Sequence, residues 1–139
     1  MKQMISLLLI CAFVFACSSK ESDKQAQLLD KVMEVHDAVM PKMGDIMKYK
    51  TQLNSKIDEL IAAGEEQNAE TIAQLKDAVE QLDNSHEGMM SWMRNFNQDF
   101  EGKVEEEVME YLKDQQAKIE EVSKATNAAL KNAEELLAQ

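Results

Sequence analysis

The sequence predicts an all-α protein: an elongated antiparallel three-helix bundle with long coiled-coil-like helices, preceded by a lipoprotein signal peptide. Three observations predict it. The 139 residues include one Pro and four Gly, too few to punctuate the turns of a many-stranded or α/β fold. Hydrophobic residues make up 45% of the chain but aromatics only 5%, so burial has to come from Leu, Ile, Val, Met and Ala. Those apolar residues recur in steps of three and four, the spacing that keeps one stripe of a helix against a partner. The formal charge of −11, from 26 acidic and 15 basic residues, repels phosphate backbones and argues against nucleic acid as a partner.

Residues 1–16 read as a leader. One charge, Lys2, precedes Ile5 to Phe15, a run apolar apart from Ser6 and about half the length of a membrane-spanning helix. Its end, Val14-Phe15-Ala16-Cys17, resembles a bacterial lipobox: an apolar residue at −3, a small one at −1, then the Cys that receives lipid. Phe15 is larger than the usual residue at −2, and an ordinary secretory leader cleaved elsewhere is the competing reading. Lipidation of Cys17 accounts for the cysteine count, because Cys11 leaves with the leader and no thiol remains for a disulfide, a nucleophile or a zinc site. Several acyl chains on one Cys anchor stably to a membrane. Residues 17–22, Cys17 and the polar Ser18-Ser19-Lys20-Glu21-Ser22, form the predicted tether. Ser18 resembles the sorting signal for outer-membrane delivery, and Glu21 and Asp23 resemble the export signals of Bacteroidota surface lipoproteins. The expected location is therefore the bacterial cell envelope, on the periplasmic or the surface face of the outer membrane.

The bundle is expected over residues 23–139, with helices at about 23–62, 67–97 and 101–137. Ser22-Asp23-Lys24-Gln25 has the capping-box pattern and predicts the first start. From Leu29 a stripe runs through Val32, His36, Val39, Met43, Ile46, Lys50, Leu53, Ile57 and Leu60, and Ala62-Ala63-Gly64 supplies a stop. The second stripe is Ile72, Leu75, Val79, Leu82, His86, Met89, Met93, Phe96 and Phe100. Asn95 to Gly102 reads as a turn, with Asp99 a candidate cap for the third helix. That helix carries Val104, Val108, Tyr111 or Leu112, Ile119, Val122, Ala129, Ala133 and Leu136 or Leu137, and Glu105-Glu106-Glu107 suits the positive end of its dipole.

Helices of this length run about 50 to 60 Å, and short connections make neighbours antiparallel. A turn centred near residue 66 then sets residues whose numbers total about 132 at one level. Lys50 is expected to meet Asp83, fixing register. Pro41 removes the hydrogen bond to the Asp37 carbonyl and predicts a kink. Gly44 would lie opposite Gly88, either letting two backbones approach or simply tolerated on a solvated face. A monomer is favoured, with a dimeric coiled coil as the alternative.

One constellation is chemically distinctive. Seven of the eight Met left after leader removal, with both His, fall in two stretches: Met33, His36, Met40, Met43 and Met47, and His86, Met89, Met90 and Met93. The pairing rule sets the stretches face to face. Thioether and imidazole suit Cu(I) or Ag(I), and a His with a Met three or four residues away offers both from one helical face. The plainer reading is packing: Met fills irregular cores, and most of these residues lie on or beside the stripes. There is no Gly-rich phosphate loop and no nucleophile elbow, so no enzyme is predicted.

Val35 to Lys48, with Met89-Met90-Ser91-Trp92-Met93-Arg94-Asn95-Phe96 and Asp99-Phe100-Glu101-Gly102, resembles a group of small Bacteroidota lipoproteins often labelled "viral A-type inclusion protein". The resemblance covers most of the mature chain. It implies a lipid-anchored coiled-coil-like bundle and supplies no activity or ligand residue. The sequence thus points to a membrane-anchored, non-enzymatic helical interaction or structural module with an envelope protein as possible partner; the alternative is a Cu(I)/Ag(I)-binding or sensing protein.

Overall fold

The structure, a computed structural model, describes the backbone of residues 15–139 and the side chains from Ser22 onward. Four helices follow one another: α1 (Phe15–Val39), α2 (Lys42–Gly64), α3 (Ala69–Asn95) and α4 (Glu105–Leu137). Joined end to end, α1 and α2 act as one long bent helix, and with α3 and α4 they form an all-α three-helix bundle. No strand occurs among the described residues, and no described helix is long and apolar enough to cross a membrane. Most of the expected leader, residues 1–14, lies outside the described residues.

The first helix starts earlier than its cap signal. It begins at Phe15, so Ser22-Asp23-Lys24-Gln25 and the expected tether are helical rather than a boundary. No Pro or Gly occurs between Phe15 and Met40, and Ser and Asp on a helical surface cost only tenths of a kcal/mol each, about 0.5 relative to Ala. A capping pattern can start a helix but has no means of stopping one that arrives from upstream.

Pro41 does interrupt the long helix. Its own backbone stays helical (φ −60°, ψ −27°), but it has no N–H for the Asp37 carbonyl. Met40 N–H still reaches the His36 carbonyl at 3.0 Å, and Met43 N–H then closes a tighter, three-residue turn to the Met40 carbonyl at 3.2 Å. The break changes neighbours: α1 runs closest to α4, whereas α2 runs closest to α3.

Two turns reverse the chain. Gly64 ends α2 at φ +132°, a conformation that side chains disfavour. Asn68 then serves both helices, its Nδ2 donating to the Gly64 carbonyl (2.8 Å) and the Leu60 carbonyl (3.1 Å), while its own carbonyl accepts the Ile72 N–H of α3 at 2.9 Å. In the second turn Asn97 Oδ1 accepts from Asp99 N–H (2.8 Å), Asp99 Oδ1 accepts from Glu101 N–H (3.2 Å), and Gly102 takes φ +73°. Asp99 therefore holds the turn and does not cap α4. The residue at that N-cap is Val104, 60% exposed and extended, so the expected α4 stripe opens one turn later, at Val108.

The expected register is observed. Lys50 pairs with Asp83, Met33 Sδ accepts from Gln98 Nε2 at 3.4 Å, and His36 Nε2 lies 3.4 Å from Met93 Sδ; each pair's numbers total within three of 132. Gly44 and Gly88 do not bring backbones together. A methyl group on Gly44 would meet nothing, and one on Gly88 would touch Val122 of α4 at 3.8 Å. Gly44 is simply solvated.

Burial follows the stripes and divides into two clusters. Ile46, Leu53, Ile57, Ile72, Leu75, Ala78, Leu82, Ala129 and Ala133 form an aliphatic end. Val32, Val39, Met89, Trp92 and Ile119 form the other, packed about by Met40, Met90, Met93 and Phe96. Met43 touches both.

Candidate functional site

The Met/His residues sit at the end of the bundle where α1 faces α3. His36 is on α1 one turn after Met33 and one turn before Met40, and the antiparallel register sets it against Met93 on α3. Its side chain is mostly buried, 16% exposed, and its two ring nitrogens have different partners. Nδ1 is 2.9 Å from Asp37 Oδ1 and Nε2 is 3.4 Å from Met93 Sδ. The indole of Trp92 lies beside the imidazole, with ring centroids 5.6 Å apart.

Four aromatics of the bundle are gathered here too, while Tyr49 packs on the aliphatic end. Trp92 stacks on Phe96 at 4.6 Å, Phe96 on Tyr111 at 6.2 Å, and Phe100 meets Tyr111 edge-on at 6.0 Å. Spacings of this kind contribute roughly 0.5–1.5 kcal/mol per pair beyond the area buried. Tyr111 places its hydroxyl at the rim, accepting the Asn97 N–H at 2.8 Å. Trp92 differs from the rim placement its type suggests: Nε1 is buried without a hydrogen-bond partner.

The nine Met/His residues do not form one constellation. Met93 meets His36 directly, while Met40 and Met90 pack on the same cluster. Met33 is partly buried and takes the Gln98 amide. Met43 lies between the clusters, and Met89 is fully buried in the core. Met47 is 53% exposed. His86 lies seven residues before Met93, about 10 Å along the α3 axis, too far to share a small ion with His36. Among the described residues no group of three His, Cys, Asp or Glu side chains comes together in the manner of a metal site. Nothing is described of the Cys17 side chain beyond its place in the backbone of α1.

A second feature lies between α3 and α4, with a lining drawn from those two helices. A groove of about 470 Å³ is lined by Ser85, Gly88, Ser91 and Trp92 of α3 and by Val122 and Ala125 of α4, among others. A shallower extension continues along Gln81, Ala128 and Ala129. From Gln81 to Asn95 the groove follows four turns of α3, about 20 Å. Short side chains cause it: Gly88 has none, and Ser85 turns its hydroxyl back to the Gln81 carbonyl at 2.8 Å. Buried Gln115 donates to Asp114 at 3.1 Å, and Asn132 donates to Gln81 at 3.1 Å.

The stripe reading does not include Ala78, Ser85 and Trp92, all buried on α3, nor Gln115 and Thr126 of α4. A signal for them exists. Residues 78, 85 and 92 stand seven apart, a second seam beside Leu75, Leu82 and Met89, and a helix packed between two neighbours needs two seams. Residues 115 and 126 complete unbroken steps of three and four on α4, but their polarity hides them from a hydrophobicity pattern.

No known protein family, curated protein or solved structure matches this chain.

Proposed function

We propose that this chain is a lipid-anchored, non-enzymatic protein of the bacterial cell envelope that receives a helix of another envelope protein in the groove between α3 and α4. The groove carries the reading. It runs along about four turns of α3 with Ser85, Gly88, Ser91 and Ala125 in its lining, and short side chains let the ridge of an incoming helix settle between two neighbouring helices. Only an edge of the buried Trp92 reaches the lining, so the apolar contact comes mainly from Val122 and Ala125 of α4. The sequence supports the anchor: the apolar run ends at Ala16-Cys17, a lipobox-like junction, and polar residues follow.

Two measurements test the proposal. Metabolic labelling with a fatty-acid analogue should mark the wild-type protein and leave Cys17→Ala unlabelled and out of the membrane fraction; equal labelling of both removes the anchor. A photo-crosslinking residue at Ser91 should capture one discrete envelope protein that the same residue at exposed Glu59 does not. Identical patterns from the two positions remove the groove.

A further inference from the structure

We infer that His36 and Met93 hold a soft monovalent cation, Cu(I) or Ag(I), at the Met-rich end of the bundle. An ionised carboxylate only accepts hydrogen bonds, so the 2.9 Å contact between Asp37 Oδ1 and His36 Nδ1 puts the ring proton on Nδ1. In the neutral imidazole Nε2 then carries a lone pair. That lone pair faces Met93 Sδ at 3.4 Å, and a thioether sulfur also has lone pairs and no proton. Two such groups are satisfied by a cation shared between them, which is either a proton or a soft metal ion.

The geometry and the donors favour the metal. With the bonds of a first-row ion such as zinc, about 2.0 Å to imidazole nitrogen and about 2.3 Å to sulfur, two ligands at a tetrahedral angle stand about 3.5 Å apart; the spacing found suits an ion of that size, and the larger Ag(I) needs a small outward shift of the flexible Met93 side chain. Imidazole and thioether are donors suited to Cu(I). The Asp37 contact is of the kind that fixes the tautomer and ring orientation of a metal-binding imidazole. Met40 lies one turn from His36 and Met90 one turn from Met93, both on the same cluster, so a flexible thioether is available from each helix as a third donor. The Trp92 ring beside the imidazole adds an electron-rich face for a cation. His86 and Met47 lie outside this site.

The test is a titration of the mature protein, lipidated at Cys17 and so free of thiols, in detergent micelles and chloride-free buffer, with Ag(I), followed by calorimetry and by the fluorescence of Trp92, the chain's single Trp. The expected result is one saturable ion per chain with quenched indole emission. Met93→Leu conserves volume and should keep the helical circular dichroism while weakening binding at least tenfold; His36→Asn should do the same, and His86→Ala should bind as wild type. Binding that survives both Met93→Leu and His36→Asn, or no saturable binding at all, overturns the site. The proton alternative predicts that the His36 ring resonances titrate identically with and without Ag(I), and that outcome also overturns it. The site and the α3–α4 groove stand on different residues apart from Trp92, so failure of one leaves the other intact.

Discussion

The two ends of the bundle solve the same packing problem with different side chains. At the end nearer the first turn, α2 lies close to α3 and branched aliphatics interlock with Ala129 and Ala133 of α4. Beyond Pro41 the first helix leaves α3 and settles against α4, and the space between α1 and α3 is filled by Trp92, His36 and Met side chains. Long, unbranched or flat side chains can fill a space of irregular width, whereas Leu and Ile fit best where the separation of helices is constant. The difference explains why Met40, Met89, Met90 and Met93 and four of the aromatics are gathered in one place. It separates an aliphatic end from one packed by long and flat side chains.

The largest expected effect tests the aliphatic end. Leu53 is fully buried among aliphatics, and Leu53→Ala should cost about 2–5 kcal/mol in urea unfolding through the cavity it leaves. Met89→Leu, fully buried at the Met-rich end, should cost under about 1.5 kcal/mol; a larger loss would show that end to be packed as closely as the aliphatic one. Thr126 Oγ1 is buried with no partner, so Thr126→Val should raise the unfolding free energy by about 1 kcal/mol; a decrease would show that the hydroxyl is satisfied. The exposed Gly44 has free space for a side chain, and Gly44→Ala should stabilise by about 0.5 kcal/mol through helix propensity. Smallest is the Lys50–Asp83 pair, whose side chains are 23% and 53% exposed. Lys50→Ala should cost no more than about 1 kcal/mol, less at high salt, and exchanging the two charges should recover part of the loss.

Much of this was legible because a helix displays its buried face as a period. Val32, Val39, Ile46 and Leu53, at intervals of seven, are all fully buried, and the turn at Gly64 fixed which residues of α3 they meet. Single residues at boundaries were less legible. Val104 continues the apolar pattern yet stands outside the core as an N-cap, and Ser22 has a cap's chemistry yet lies within a helix. Both depend on where neighbouring chain goes, which local chemistry does not encode. The candidate site was half legible: the two facing stretches follow from the register, but the pairing of His36 with Met93, the exclusion of His86 and Met47, and the Asp37 contact depend on helix rotation.

The sequence by itself determined an all-helical chain, three long segments, their antiparallel register and an interruption at Pro41, because helix period, turn residues and a missing N–H act within a few residues of one another. Only the tertiary structure decided which neighbour each half of the broken helix adopts, which Met residues reach His36, and that Gly88 and Ser85 leave a groove between α3 and α4. Those outcomes follow from the volumes of side chains meeting across three helices, and no single helix contains that information.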